Sequence, residues 1–398
     1  MATIRPFRAL RPTPADAAAI AAVPYDVVNT DEARALATDN PLSFLRVSRA
    51  ELELPAGTDP YSATVYRRAA ENFDRLRERM VVEEEPSLYF YKLRMGAHEQ
   101  TGLAGCWTLD EYDRDVIKKH EKTRRDKEDD RTRHMIALKA QTGPVFLTYR
   151  SSPDVDEVAR RAAGASPLID FVAGDGVQHT IWKVDRTGCA TLVNAVGRIP
   201  ALYIADGHHR AASAARARTE LNGAGESSTF VAVAFPDNQV QILPYNRIIR
   251  TLGTLTSAEF ARAIRERFDV ADGPASPSRR GDVAMYFEGK WQTLRIRVKP
   301  AGDAIRSLDV SVLQEQLLAP VLGIVDVTTD KRIDFVGGAR GTRELERLVD
   351  SGSAVVAFSM YPVSVSDLMA VSDAGVIMPP KSTWFEPKLR DGLLIHLL

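Results

Sequence analysis

The sequence predicts a mixed α+β protein, on three observations. Short β-prone runs and helical periods follow one another irregularly along the 398 residues, without the regular strand–helix–strand beat of a doubly wound sheet. Hydrophobic residues make up 44% and charged residues 26%, the balance of a globular chain with a large core. No internal repeat or low-complexity tract interrupts the mixture. At this length two or three domains are expected.

Taken in order, residues 4–12 and 23–28 read as short strands interrupted by prolines, which forbid a helix through them. Asn29 to Glu32 looks like a cap for a short helix from Ala33 to Thr38, stopped by Asn40-Pro41. Leu42 to Val47 is expected as a strand. Val65, Ala69, Phe73, Leu76 and Met80 predict a helix within 61–81. Leu88–Leu93 and Gly102–Leu109 predict strands paired across a turn at Gly96. After the charged run Lys118–Arg133, a helical pattern continues to Gly143-Pro144, and Val145–Tyr149 follows as a strand.

Val155–Ala163 reads as a helix, Gln178–Val184 as a strand, and a short helix follows Gly188. Thr229–Phe235 and Val240–Pro244 suggest a hairpin around Asp237. A helix from Ser257 to Phe268, capped by Ser257, buries Phe260, Ile264 and Phe268 on one face. Ala271–Gly281, rich in Pro, Gly and Ser, is the expected linker. Beyond it, 283–287 and 291–298 suggest a hairpin at Gly289, and Val310–Leu318 a helix. Strands at 333–336 and 354–360 flank a helix at 342–349, and a last helix spans 365–370.

Composition excludes several classes. The formal net charge of -1 gives no global attraction to nucleic acid or an anionic membrane. Two cysteines, Cys106 and Cys189, cannot build a disulfide framework or a cysteine-rich zinc site, and fit a reducing compartment. No apolar run approaches the ~20 residues that span a bilayer, and Met1–Pro6 lacks the apolar core of a secretion signal. A cytoplasmic location is expected. The phosphate-loop pattern is absent, because Gly289-Lys290 is followed by Trp291. Neither His98-Glu99 nor His120-Glu121 has the second histidine of a zinc-protease helix. Gly337–Gly341 follows a strand and precedes a helix, but such a glycine cluster is more often a plain turn.

The stretch Asp206-Gly207-His208-His209-Arg210 carries the strongest chemical signal. A short apolar run ends in Asp-Gly, and two histidines and an arginine open an alanine-rich helix. A helix N-terminus carries unpaired N–H groups and partial positive charge, so anions collect there. His208, His209 and Arg210 strengthen the attraction for phosphate, and Asp206 is placed to hold a divalent cation. In the charged run, phosphoryl transfer would use cations for the phosphates and one carboxylate to take the proton of an attacking hydroxyl. Glu121 is the expected base, and Arg125, Glu128 and Asp129 are expected on a solvated helix face. Lys381-Ser382-Thr383, stiffened by Pro379-Pro380, offers a cation and two hydroxyls to a ligand. Asp26 sits at a stiff strand end.

These motifs resemble those of a large bacterial family known as a conserved domain of unknown function. The resemblance rests on residues 23–28, 40–47, His120–Thr123, Lys127 with Asp130-Arg131, Asp206–Arg210 and 378–388. It implies a ParB/sulfiredoxin-like core with additional N-terminal and C-terminal α/β elements. The expected division is a catalytic region at 1–270 and a C-terminal region at 282–398 that lends loop 378–388 to the site. The Asp-Gly-His-His-Arg element is similar to the Asp-Gly-His-x-Arg of free serine kinases, and some relatives use inorganic pyrophosphate as donor. The resemblance thus implies an L-serine kinase with magnesium that uses pyrophosphate, ahead of ADP or ATP, and gives O-phospho-L-serine. It places Asp206, His208, His209 and Arg210 around the transferred phosphate, with Gly207 in the turn and Asp206 on the metal. Lys118, Lys119, Lys127, Arg131 and Arg210 supply positive charge for so small and charged a donor. Asp26 is assigned to the ammonium of serine, and Lys381, Ser382 and Thr383 to its carboxylate. A monomer or homodimer without nucleic-acid or membrane partners is expected. The alternatives are a ParB-like nucleotide-binding module without turnover, and a phosphoserine phosphatase.

Overall fold

The computed structural model describes residues 1–297 and 303–398. The chain forms two compact units, one of residues 1–240 with 387–398 and one of residues 241–386. Both are mixtures of helices and sheet, as expected.

The first unit is built on a nine-stranded sheet. Its order is Ile117–Lys118, Leu202–Asp206, Val145–Tyr149, Thr229–Pro236, His98–Thr108, Tyr89–Met95, Gln178–Lys183 and Ile169–Val172, with Ile4–Arg5 pairing beside His98–Thr108. Thr229–Pro236 is buried at every residue. It runs parallel to Val145–Tyr149 and antiparallel to His98–Thr108, which accounts for its unbroken apolar sequence. The hairpin Tyr89–Met95/His98–Thr108 turns through Gly96 at φ +60°, a conformation glycine adopts without strain. Leu147, Trp107, Leu192, Leu202 and Phe230 belong to the core of this sheet. A second apolar cluster joins Phe44, Phe73, Ala69 and Ile20 with Ile395. Ile395 belongs to the last twelve residues, which return to this unit: Ala22 bridges Asp391, and His396 and Leu397 pair with Gln141 and Ala140.

The second unit is a six-stranded antiparallel sheet in the order Phe268–Asp272, Lys290–Ile296, Asp282–Phe287, Val356–Ser359, Tyr245–Ile249, Ile333–Gly337. Helix Gly341–Asp350 lays Leu345 on Ile248, Val336 and Ala357.

Several sequence expectations change. Residues 42–47 do not form a strand; Leu45–Ser48 is a helical turn, which buries Phe44, Leu45 and Val47 together and sets Phe44 edge-on to Phe73 at 6.3 Å. Residues 23–28 form turns and bends, held by Arg49, which donates to the carbonyls of Tyr25 and Val28. Helix Thr30–Ala37 starts earlier than expected, on an Asn29/Glu32 capping box. The helical pattern expected after the charged run begins within it and ends earlier: Arg125–Leu138 is one continuous helix. Thr229–Pro236 and Gln241–Leu243 are not a hairpin, since the latter pairs with Trp384–Glu386 in the other unit. Thr256, not Ser257, caps helix Ser257–Arg267. Residues 271–281 do not separate the units, because the strands on both sides of them pair with Lys290–Ile296. The boundaries fall at 240/241 and 386/387 instead. The expected hairpin at Gly289 forms, though Val298, placed in it from sequence, lies outside the described residues.

Candidate active site

Strand Leu202–Asp206 pairs parallel to Ile117–Lys118, with Tyr203 opposite Lys118. His120 and Glu121 follow Lys118 by two and three residues, Asp206 and His208 follow Tyr203 by three and five, and the His120 backbone N–H reaches His208 Nε2 at 3.4 Å. On its other side the strand loses register with Val145–Tyr149 between Ile204 and Asp206, a bulge of the kind that re-aims a side chain at a strand end. Gly207 follows at φ +93°, and its missing side chain has a second reason: a Cβ there would lie 2.9 Å from Arg210 Nε. Gly207 also leaves helix His208–Glu220 without a side-chain cap, and no acidic residue occupies its first turn. The first helical N–H groups are therefore open to an anionic ligand.

Asp206 lies between two cations. Its Oδ2 accepts from Arg210 Nη2 at 3.3 Å and from Lys388 Nζ at 3.4 Å. Burial would raise its carboxyl, but Lys388 and Arg210 hold it well below the usual carboxylate range. Arg210, only 9% exposed, also donates to the Pro144 carbonyl, while its Nε is buried without an acceptor. Most of this guanidinium is thus committed to the corner itself.

His208 is buried and held neutral, its pKa pushed well below the ordinary value by burial and by the neighbouring His120. Its Nε2 accepts from the backbone N–H of His120 at 3.4 Å, which leaves the proton on Nδ1, 3.8 Å from Glu121 Oε2. The His120 ring stands edge-on to His208 at 4.5 Å and donates to the Ile204 carbonyl; burial lowers its pKa to about 4. Donor atoms of His120, Glu121 and His208 lie within 4.8 Å of one another, a geometry that suits a metal ion. His209, half-buried, accepts from the Arg124 backbone N–H at 3.0 Å, and burial lowers its pKa too.

The remaining sequence-predicted residues are placed as follows. Lys118 lies in the edge strand beside Tyr203. Lys127 donates to the Tyr61 hydroxyl at 2.9 Å. Arg131 is ion-paired to Asp130 at 2.8 Å and lies over the Tyr25 ring at 4.1 Å. Asp26 is exposed and acts electrostatically on His209 and Arg210. Glu128 and Asp129 are not on a purely solvated face: both pair with Arg216 of helix His208–Glu220, and Ser213 donates to the Glu128 carbonyl. Arg125 is exposed. Lys381, Ser382 and Thr383 belong to the second unit, where Lys381 Nζ lies 5.5 Å from the Tyr245 ring centre and Ser382 Oγ donates to the Pro379 carbonyl. Sequence reasoning assigned no role to His120, Arg124, Lys388 or Asp391. His120 and Lys388 stand inside quoted motifs, so their signal was present; Arg124 acts through its backbone, and Asp391 has no motif.

Residues 4–311 match the family described as "Protein of unknown function (DUF1015)". The chain belongs to this family. No curated protein matches it. Among solved structures, similarity is found to a C-terminally truncated SbnI from Staphylococcus aureus, with TM-score 0.39, 12% identity, and coverage of 73% of this chain and 86% of that one. A free serine kinase in complex with AMP gives TM-score 0.38 and 14% identity, over 73% of this chain and 91% of that one. A conserved hypothetical protein from Pyrococcus furiosus gives TM-score 0.36 and 15% identity, over 74% and 95%. Among the described residues, no helix is long and apolar enough to cross a membrane.

Proposed function

We propose that this DUF1015 protein is a phosphotransferase that moves a phosphoryl group from inorganic pyrophosphate to the hydroxyl of free L-serine, on a ParB/sulfiredoxin-like core. The observation that carries the reading is the pairing of an uncapped helix N-terminus with a carboxylate, Glu121, held 3.8 Å from His208 Nδ1. One group receives an anion and the other accepts a proton.

In this reading the phosphoryl group docks on the N–H groups opening helix His208–Glu220, beside the half-buried His209. The serine Oγ attacks phosphorus, its proton passes to Glu121, and the bridging P–O bond breaks to release orthophosphate. Neutral His208 stands beside the Glu121 carboxylate, with Nδ1 3.8 Å from Oε2. Asp206 fixes Arg210 and Lys388 as one positive wall, so the charge of the transition state meets dipoles and cations already in place. Arg131, Lys127 and Lys118 add to the field around it.

Magnesium prefers oxygen ligands; Glu121 would supply one, while Asp206, the metal ligand expected from sequence, lies outside the His120–Glu121–His208 group and is held by Arg210 and Lys388. An ion held by His120 and His208 as well would require His208 Nδ1 to give up its proton, and imidazole ligands suit manganese or zinc better than magnesium. When bound, either ion would neutralise charge on the phosphates. The test is to incubate the protein with L-serine, pyrophosphate and magnesium or manganese and follow phosphorus NMR, with ADP and ATP in parallel. Phosphoserine with pyrophosphate is expected. No phosphoserine from any donor overturns the kinase reading, and phosphoserine only from a nucleotide overturns the donor.

A further inference from the structure

We infer that the pocket on the inner side of Arg210 binds the ammonium group of a small amino acid through the carboxylate of Asp391. The identity of that amino acid as serine rests on the kinase reading; the ammonium site itself does not. The pocket has a cavity volume of about 40 Å³, and Tyr25, Arg131, His134, Thr142, Arg210 and Asp391 contribute to its walls.

Asp391 is 4% exposed and is fixed by its backbone, which exchanges hydrogen bonds with Ala22 at 2.9 and 3.2 Å. Its carboxylate fills the space opposite Gly143, where a Cβ would lie 2.3 Å from Oδ1. No hydrogen-bond donor among the described residues reaches that carboxylate; its surroundings act on it only through space. A buried carboxylate without a donor is costly, and a cationic ligand would remove the cost.

The nearby guanidinium groups are already engaged: Arg390 is paired with Asp175. Arg131 is held by Asp130, the Ser48 carbonyl and the Tyr25 ring. Arg210 is held by Asp206 and the Pro144 carbonyl. His134, bonded through Nε2 to the Val47 carbonyl and pushed down to about 4 by burial, is neutral and does not repel a cation. An ammonium group brings three donors to Asp391, and the positive walls suit the carboxylate at the other end of the same zwitterion. Arg210 borders both this pocket and the phosphate corner, so an amino acid seated here presents its side chain to the corner.

The test uses the full chain without a phosphoryl donor, by calorimetry or ligand-observed NMR. At pH 8 the Asp391 carboxyl, raised by burial to about 7 amid Arg210, Asp26, Arg131 and Arg390, is ionised. L-Serine and ethanolamine are expected to bind, and 3-hydroxypropionate, which lacks the ammonium, is not. Asp391→Asn is expected to weaken L-serine at least about tenfold, and Gly143→Ala, which crowds the carboxylate, also weakens it should the first variant fail to fold. Equal behaviour of serine and 3-hydroxypropionate, or unchanged serine affinity in a folded Asp391→Asn, overturns the inference. Serine binding without phosphoserine formation would sink the kinase reading alone. Phosphoserine formation with an unchanged serine KM in Asp391→Asn would sink this site alone.

Discussion

Strand Leu202–Asp206 runs through Gly207 into helix His208–Glu220, and strand Ile333–Gly337 runs through residues 338–340 into helix Gly341–Asp350. In sequence both are apolar runs that end in glycine and open a helix. Their glycines serve different ends. At the second corner a Cβ on Gly337 would strike the Trp384 ring at 2.6 Å, and one on Gly338 would strike the Pro244 carbonyl at 2.7 Å, so packing excludes the side chains. That helix also carries Glu344 in its own first turn, which offsets the positive end of its dipole. The first helix has no such acid, and around its start lie buried Arg210, neutral His208 and a carboxylate shared by two cations. A strand–glycine–helix corner becomes a site when its neighbours leave the helix end and several buried polar groups without a mutual solution.

The histidines give the largest way to test the contrast. All seven lie in the first unit, since residues 241–386 contain none. Burial is the first cause of depressed pKa in six of them: His120 and His134 at about 4, His179 at about 3, and His208, His209 and His396 also lowered. With folded values below the unfolded ~6.5, the unfolded chain binds more protons between pH 6.5 and 4, so stability falls with pH. Each strongly shifted histidine contributes up to ~1.4 kcal/mol per pH unit over that window. Asp391, raised to about 7, and Asp156, also raised by burial, work in the opposite sense but are fewer. Hydrogen exchange at pH 7 and 4.5, corrected for intrinsic rates, is expected to show protection falling across residues 1–240 and persisting across 241–386. Parallel loss in both units would refute the division.

Next in size is Glu121→Gln, which keeps the shape of the His208 contact and removes the proton acceptor. Turnover is expected to fall ~10²–10⁴-fold, with serine affinity nearly unchanged. Full turnover in the variant would move the base elsewhere. Arg340→Ala, at the exposed start of the second corner, is expected to leave kcat within about twofold.

Gly207→Ala and Gly341→Ala sharpen the comparison further. Both positions have positive φ, +93° and +69°, so an alanine strains each by ~1–3 kcal/mol. Nothing lies within 4 Å of a Cβ at Gly341, whereas at Gly207 it meets Arg210 Nε, Cζ and Nη2. Similar losses of melting temperature are expected, together with a drop in kcat for Gly207→Ala alone. An equal kcat effect at both positions would mean that the Arg210 arrangement is not what Gly207 protects.

The first corner was legible because its chemistry is contiguous: Asp206 to Arg210 are adjacent, and strand, turn and helix follow from local propensity. Its partners were legible only in part. The pairing of Tyr203 with Lys118 brings Glu121 within 3.8 Å of His208, and a parallel pairing between segments 85 residues apart leaves no local pattern. Lys388 and Asp391 reach the first unit only because the chain returns after residue 386. Leu42–Val47 misled for a related reason. Its residues have β propensity, yet the nearest apolar surface is Phe73 on a helix, and a helical turn buries them better than a lone strand.

Lys381 gives the smallest and most discriminating effect. Its backbone sits at φ +60°, and its Nζ lies 5.5 Å from the centre of the Tyr245 ring. A cation already resting on an aromatic face is worth ~0.5–1 kcal/mol at an exposed site. Lys381→Ala is expected to cost about that much in the denaturation midpoint and to leave the serine KM within about twofold. Lys381→Met, which keeps the stem over Tyr245, separates packing from charge: it should recover part of the stability without changing KM. A tenfold rise in KM in both variants, with melting unchanged, would instead assign the lysine to the carboxylate of serine, as the sequence suggested.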